Sequence, residues 1–298
     1  MSLQEQTVSN SVSLPAFPNI KQTLGLLVLV YALQLVLVVP LAALSKLNGT
    51  SPVDHPATVA IVNSISIGIV LLWGLRKTRS SFSKVFPLTA VPAHLLLAAA
   101  VTTLGASIVL SEVDNLLRTI LPVPAWLADA FENLLGMEEN LLAALVTIAV
   151  VAPLTEELLF RGLVLRGFLL NYNARKAIFL SALLFAIFHL NPWQFSGALV
   201  AGVLFAWWFV ETGSLVLCLF GHALNNALPF VFTKILGLEI PGYTDELSEA
   251  VRHQPLWFTA LGFTLAILGI FALKQHFDQG EKNRDSVPGN GLGYQNEL

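Results

Sequence analysis

The chain of 298 residues is 55% apolar and only 12% charged, with a formal net charge of -3 and a mean hydropathy of +0.71. A soluble domain carries about 25% charged residues, so this composition excludes an ordinary soluble domain and predicts a polytopic membrane protein. The small net charge without a basic tract argues against a nucleic-acid partner, and a single cysteine, Cys218, excludes an intrachain disulfide framework and a multi-cysteine metal site.

The hydrophobic pattern predicts an all-α bundle of about eight transmembrane helices, because a helix needs about 20 mostly apolar residues to cross a bilayer. Residues 1–23 form a polar N-terminal segment, 24–273 a membrane-embedded domain and 274–298 a flexible polar tail. The predicted spans are 24–44, 57–75, 93–110, 141–169, 177–190, 195–210, 214–232 and 256–273. The fifth and sixth are short, which favours helices packed inside the bundle over lipid-facing ones.

An amphipathic helix is predicted between the third and fourth spans, within residues 111–140. Apolar residues recur there at helical spacing in the stretch AWLADAFENLLG, namely Trp126, Leu127, Ala130, Phe131, Leu134 and Leu135. Such a pattern is typical of a helix lying at the membrane interface. A lid over a site is the alternative.

The basic residues predict the orientation of the bundle, since cytoplasmic loops carry an excess of lysine and arginine. With the N-terminus inside, eleven of the 16 Lys and Arg residues fall on the cytoplasmic side, four fall outside, and Arg161 lies within a span. We therefore expect both termini in the cytoplasm, and a plasma-membrane location if the host is a bacterium.

A compact set of polar residues lies inside the predicted spans. A charge at the bilayer centre costs at least about 2.5–3.5 kcal/mol, so intramembrane ionisable groups are candidates for function. The set comprises Glu156, Glu157 and Arg161 in the fourth span, His189 in the fifth, and His222, Asn225 and Asn226 in the seventh.

Helical geometry separates the two adjacent glutamates. Glu157 and Arg161 are four residues apart and can form a salt bridge on one helix face, whereas Glu156 lies about 140° from Arg161. Pro153 removes a helix hydrogen bond nearby and favours a kink. Glu157 and Arg161 can be structural or chemical, and Glu156 is the candidate for chemistry.

The two histidines each have a partner four residues away. His222 and Asn226 can face one cavity, while Asn225 turns away and suits helix packing; Phe185 is predicted to lie beneath His189. At about 1.5 Å per residue, Glu156, His189 and His222 can meet in the cytoplasmic half of the membrane. A glutamate in an apolar cavity suits the role of general base, so Glu156 can activate a water that His189 positions. His222 and Asn226 can then donate hydrogen bonds to an oxyanion, a set sufficient for peptide hydrolysis.

These residues resemble the three motifs of the CPBP family, the CAAX prenyl proteases and bacteriocin-processing proteins, also called the Abi family, which includes the Ras-converting type. The motifs are Glu-Glu-x-x-x-Arg (Glu156, Glu157, Arg161), Phe-x-x-x-His (Phe185, His189) and His-x-x-x-Asn (His222, Asn226). They occur in order, each on its own predicted span, over about a quarter of the chain.

The resemblance implies an intramembrane glutamic endopeptidase whose site faces the cytoplasm. By this analogy Glu156 is the base, His189 holds the water, His222 and Asn226 form the oxyanion hole, and Glu157 with Arg161 supports the motif. The substrate would be a membrane-associated peptide or protein, of the CAAX or the leader and bacteriocin type, and no cofactor is expected.

Three alternatives remain. Members of the family were long described as metalloproteases, and Glu156, His189 and His222 are also a zinc-protease ligand set, although the chain lacks the HExxH element of that class. A non-catalytic immunity or scaffold protein of the same family is the second. An ion or proton pathway is the third, although the repeats and broken helices of a transporter are not apparent in the sequence.

Overall fold

The computed structural model describes residues 16–48, 55–135, 141–245 and 250–285, and every regular element within these ranges is helical. A single helical turn, Phe82–Val85, lies between the second and third main helices. The main helices are α1 Ile20–Asn48, α2 Pro56–Thr78, α3 Ala93–Ile120, α4 Ala125–Leu135, α5 Leu141–Asn171, α6 Ala174–Phe188, α7 Pro192–Thr212, α8 Leu215–Ile235 and α9 Leu256–Asp285.

Seven of the described helices, α1 to α3, α5 and α7 to α9, are long and apolar enough to cross a membrane. Large apolar side chains such as Leu35, Val36 and Ile267 are more than 60% exposed, as expected for surfaces that face lipid. The predicted all-α, multi-pass membrane architecture is therefore confirmed. The predicted fifth span, 177–190, is the 15-residue helix α6, which is shorter than the other seven.

Several helix ends differ from the predicted ones. Helix α3 continues to Ile120, ten residues beyond the predicted end of its span, so the stretch after it is shorter than expected. The predicted amphipathic helix is present as α4, and its residues 131–135 are described in backbone only. Helix α9 continues to Asp285, so residues 274–285, which were predicted to belong to a flexible polar tail, are helical. Residues 1–15 and 286–298 lie outside the described ranges.

Tight, capped turns join α6, α7 and α8, and His189 lies at the first of these turns. Asn173 accepts a hydrogen bond from the Lys176 backbone N–H at the start of α6, and Asn191 does the same for Trp193 at the start of α7. Gly213, at a φ of 60°, ends α7 in the left-handed conformation that glycine adopts without strain. Each cap satisfies backbone donors that the first helical turn leaves unpaired.

Helix α5 is not a regular α-helix. Two π-helical segments, Thr147–Val151 and Leu158–Leu165, flank the α-helical turn Ala152–Glu157. Pro153, which predicts a kink, lies in the first turn after the first π segment, where its missing N–H is tolerated best. Wide π turns inside α-helices are found mostly at functional sites. Glu156, the predicted catalytic base, and the supporting Glu157 lie between two of them.

The core of the bundle combines aromatic rings with a buried charge. Trp208, Arg161, Phe160, Phe185 and Phe205 are among the largest side chains that are almost completely buried. Cys218 is also fully buried, and its thiol donates to the Phe205 carbonyl at 3.1 Å.

The segment between α8 and α9 is fastened to α3 by polar contacts. The Gly242 carbonyl accepts from Ser111 at 3.0 Å and from the Asn115 amide at 2.6 Å. Burial alone raises the pKa of the Asp245 carboxyl, but hydrogen bonds from Arg252 and from the Gly242 N–H outweigh it and hold the pKa below its ordinary value. This carboxylate therefore stays ionised and keeps its contacts at neutral pH.

Helices α3 and α9 pack closely because several residues at their interface are glycines, which have no side chain. A Cβ atom at Gly105 would lie 2.6 Å from the Gly262 carbonyl oxygen and would overlap the Ala266 backbone nitrogen. A Cβ atom at Gly269 would lie 2.6 Å from the Thr102 backbone nitrogen. These contacts are between backbones, so the helices must separate to admit a methyl group.

We expect Gly105→Ala to destabilise the protein by about 1–3 kcal/mol, the usual effect of overpacking a filled interface. The measurement is the midpoint of thermal unfolding of the purified protein in detergent. Gly68→Ala is the matched control, since a Cβ there meets nothing within 4 Å. Equal midpoints for the two variants would contradict the close packing of α3 and α9.

Candidate active site

Glu157 and Arg161 form the predicted ion pair at the centre of the bundle. Arg161 Nη1 donates to Glu157 Oε1 at 2.8 Å, and both side chains are completely buried. Arg161 Nη2 donates to the Gly202 carbonyl of α7 at 3.2 Å. The guanidinium carbon lies 4.5 Å from the ring centroid of Phe185 and 5.4 Å from that of Phe205. Ion pairing and two aromatic faces together compensate a charge that would otherwise be costly to bury.

The same carboxylate oxygen also holds His222. His222 Nδ1 lies 2.7 Å from Glu157 Oε1, so that oxygen contacts both the imidazole and the guanidinium. The His222 ring stacks on Phe205 at a centroid distance of 5.4 Å and meets Phe185 edge-on at 5.7 Å. A carboxylate beside Nδ1 selects the form of histidine that carries a proton on that nitrogen. Because Nδ1 of His222 faces Glu157, Nε2 of His222 faces away from that carboxylate.

Glu156 lies on the other side of His222 and is not paired with Arg161. Glu156 Oε2 is 3.8 Å from His222 Nε2, which is beyond hydrogen-bond distance, and this oxygen has no hydrogen-bond partner in the described part of the protein. The Glu156 side chain is 15% exposed, whereas that of Glu157 is 0% exposed. The two adjacent glutamates thus face different surroundings, as helical geometry predicts.

His189 lies at the C-terminal end of α6, and its ring and that of His222 both contact the Phe185 ring. Its Nδ1 is 2.9 Å from the Phe185 carbonyl oxygen, and its ring meets the Phe185 ring edge-on at 4.9 Å. The predicted contact between His189 and the Phe185 ring is therefore present, with the rings edge-on and not stacked. Because Nδ1 is held by the backbone, Nε2 is the nitrogen available to a ligand of the site. Phe185 contacts His189, His222 and Arg161 together.

Asn226 is held by the first π segment of α5. Its Nδ2 donates to the Ile148 carbonyl at 2.9 Å, and its Oδ1 accepts from the Asn225 amide at 3.3 Å. A primary amide has two N–H donors, so one remains for another partner. Asn225, predicted to bond between helices, contacts its neighbour on the same helix instead.

Residues on α1, α2 and α7 also surround the site and are missing from the predicted set. Gln34 donates to Asn63 at 3.2 Å, and Asn63 donates to Thr155 at 3.3 Å, next to Glu156. Gln34 and Asn63 are polar residues inside predicted spans, so the sequence carried a signal for both.

Tyr31 and Phe205 could not have been selected from the sequence. Tyr31 donates its hydroxyl to the Phe188 carbonyl, beside His189, and lies within electrostatic range of Glu156. Phe205 touches Arg161 and His222. Both are aromatic residues among many in apolar spans, and only the packing of helices distinguishes them.

Within the described ranges, no three side chains of the His, Cys, Asp or Glu type converge as a metal-ligand group. The zinc alternative needs Glu156, His189 and His222 to do so. The predicted lack of a cofactor remains a prediction, and metal dependence is a question for experiment.

Comparison with known proteins gives a family match over the segment that carries this site. Residues 138–228 match the family of type II CAAX prenyl endopeptidases described as Rce1-like, and every predicted site residue falls in that range. The chain is 31% identical over 143 residues to YyaK, an uncharacterized protein of Bacillus subtilis (strain 168); the match covers 44% of this chain and 46% of YyaK, so it spans less than half of that relative's length. No solved structure matches the chain significantly. The resemblance to the CAAX protease family that the three motifs indicate is thus confirmed, over residues 138–228.

Proposed function

We propose that the chain is an intramembrane endopeptidase that hydrolyses a peptide bond of a membrane-associated substrate with a water activated by Glu156. The observation that carries the proposal is the unequal surroundings of the two adjacent glutamates. Glu157 is neutralised by Arg161 and contacts His222, whereas Glu156 is partly exposed and accepts no hydrogen bond from the described residues. The match of this region to the CAAX endopeptidase family supports the same activity.

In the proposed reaction, Glu156 removes a proton from water while His189 Nε2 holds that water in place. The hydroxide adds to the carbonyl carbon of the substrate, and the former carbonyl oxygen becomes an oxyanion. Glu156 then passes its proton to the leaving amine as the carbon–nitrogen bond breaks. The products are a carboxylic acid and an amine, which exchange a proton to become a carboxylate and an ammonium group, and Glu156 ends in its starting state.

His222 stabilises the oxyanion only in its charged form. Because Glu157 accepts at Nδ1, a neutral His222 presents a lone pair at Nε2, whereas the imidazolium presents an N–H there. The second amide N–H of Asn226 is the other donor. Glu157 therefore supports the oxyanion hole by holding His222, in addition to pairing with Arg161.

The substrate class follows from the family and from the membrane setting. A CAAX-type substrate is a peptide with a lipid-modified C-terminus, and a leader or bacteriocin precursor is the other type predicted. Both reach the site from the membrane surface. The excess of lysine and arginine supports a site that opens to the cytoplasm, with both termini on that side.

We expect Glu156→Gln to lower the rate of peptide hydrolysis by about 10²-fold or more, because general acid–base catalysis contributes about 10²–10⁴-fold. The fold should be unchanged, since no protein hydrogen bond to Glu156 is lost. The measurement is cleavage by purified protein in lipid vesicles, read by mass spectrometry, with prenylated C-terminal peptides and leader peptides offered separately. Glu211→Gln, on an exposed carboxylate of α7, is the control.

Three results would overturn this mechanism. Full activity of Glu156→Gln would remove Glu156 from the chemistry. Loss of wild-type activity on adding a chelator, with recovery on adding zinc, would favour the zinc alternative. Absence of cleavage of every substrate type by the wild-type protein would favour the immunity or scaffold alternative.

Glu157→Gln should instead destabilise the protein, by about 3–5 kcal/mol, because it leaves the Arg161 charge buried without its counter-ion. Thermal unfolding of the two Glu→Gln variants, measured side by side, separates the two glutamates. The double variant Glu157→Gln, Arg161→Met should recover part of the stability and none of the activity, since His222 still lacks its carboxylate. Equal unfolding midpoints for Glu156→Gln and Glu157→Gln would contradict the assignment.

The orientation is testable with introduced cysteines, because the natural Cys218 is fully buried. In intact bacterial cells, a membrane-impermeant maleimide should label Glu239→Cys, between α8 and α9, and should spare Lys77→Cys, at the end of α2. The inverse pattern would place both termini outside.

A further inference from the structure

A pair of histidines joins α3 to α9, two helices that carry none of the site residues described above. His94 Nε2 and His276 Nδ1 are 3.0 Å apart, and the two ring centroids are 4.7 Å apart. His94 is exposed and His276 is partly exposed, so the pair lies at the surface of the protein, with the two nitrogens hydrogen-bonded to each other. Neither residue belongs to the motifs of the proposed protease site.

We propose that His94 and His276 form a binding site for a divalent transition-metal ion of the Zn²⁺, Ni²⁺ or Cu²⁺ class. Imidazole nitrogen is a preferred ligand of these ions, and Mg²⁺ and Ca²⁺ prefer oxygen. With metal–nitrogen bonds of about 2.0–2.1 Å in tetrahedral geometry, two ligand nitrogens lie about 3.3 Å apart. A separation of 3.0 Å needs only a small adjustment to reach that value.

The pair is held in place by the helices beneath it. The antiparallel register of α3 and α9 brings Ile108 against Gly262, Gly105 against Ala266 and Thr102 against Gly269, with backbones in close approach at the last two pairs. Continued along the two helices, this register brings His94 opposite His276. The histidines are thus fixed relative to each other before an ion binds, which lowers the entropic cost of chelation.

Two protein ligands leave the remaining positions of the ion to water or to other groups. A bound ion would link the start of α3 to the C-terminal part of α9. It would do so only in the folded protein, so binding should raise the thermal stability. The site is independent of the proposed protease activity and would exist whether or not the chain cleaves peptides.

The test is titration calorimetry of the full-length protein, purified with a tag that contains no histidine and stripped of metal with a chelator. Zn²⁺ and Ni²⁺ are titrated separately, with Mg²⁺ as the non-binding ion. We expect one ion per chain, with affinity at least tenfold lower in His94→Gln and in His276→Gln. His253→Gln, which removes a different surface histidine, should bind as the wild type does.

Thermal unfolding gives a second readout on the same samples. Zn²⁺ should raise the unfolding midpoint of the wild type and of His253→Gln, and should leave His94→Gln and His276→Gln unchanged. Midpoints measured without metal show whether the variants fold. Failure of the wild type to bind either ion would overturn the proposal, as would binding that persists in both single variants or is lost equally in His253→Gln. None of these results bears on Glu156, so the outcome is separate from that of the protease assay.

Discussion

One oxygen atom, Glu157 Oε1, connects the elements on which the site depends. It accepts from the guanidinium of Arg161, on its own helix, and contacts the imidazole of His222, on α8. Arg161 in turn reaches the Gly202 carbonyl on α7. Charges inside a bilayer are tolerated when they pair with one another or with backbone carbonyls. Here the paired side chains and the backbone carbonyl lie on three different helices. The arrangement of α5, α7 and α8 is thereby tied to a single carboxylate.

The backbone of α5 makes this arrangement possible. Its two π-helical segments widen the helix on either side of the α-helical turn that carries the glutamates. Asn226 donates to the Ile148 carbonyl inside the first of these segments, so the irregular backbone is also a point of contact for α8. The site is thus built partly from helix irregularity, which local hydrophobicity does not specify.

Much of the architecture could be predicted because the bilayer constrains it so strongly. Length and hydropathy identify the spans, and the spacing of four residues between Glu157 and Arg161 fixes their contact within one helix. What could not be predicted depends on distances between helices. The contact of His222 with Glu157 joins residues 65 positions apart, and no periodicity within either helix indicates it. The extension of α3 to Ile120 was missed for a different reason, since polar residues such as Glu112 and Asn115 interrupt the apolar pattern but face protein partners.

Phe185 and Phe205 each contact both Arg161 and His222. These common contacts have a consequence for how the sequence can evolve. The two rings contact both Arg161 and His222, and both of these contact the Glu157 carboxylate, so none of these five side chains has an environment of its own. A change at one position alters the solvation of the other four. In a large set of related sequences these positions should therefore vary as a group, whereas Glu156, whose Oε2 has no hydrogen-bond partner in the described part of the chain, should be free to change alone in members that have lost catalysis.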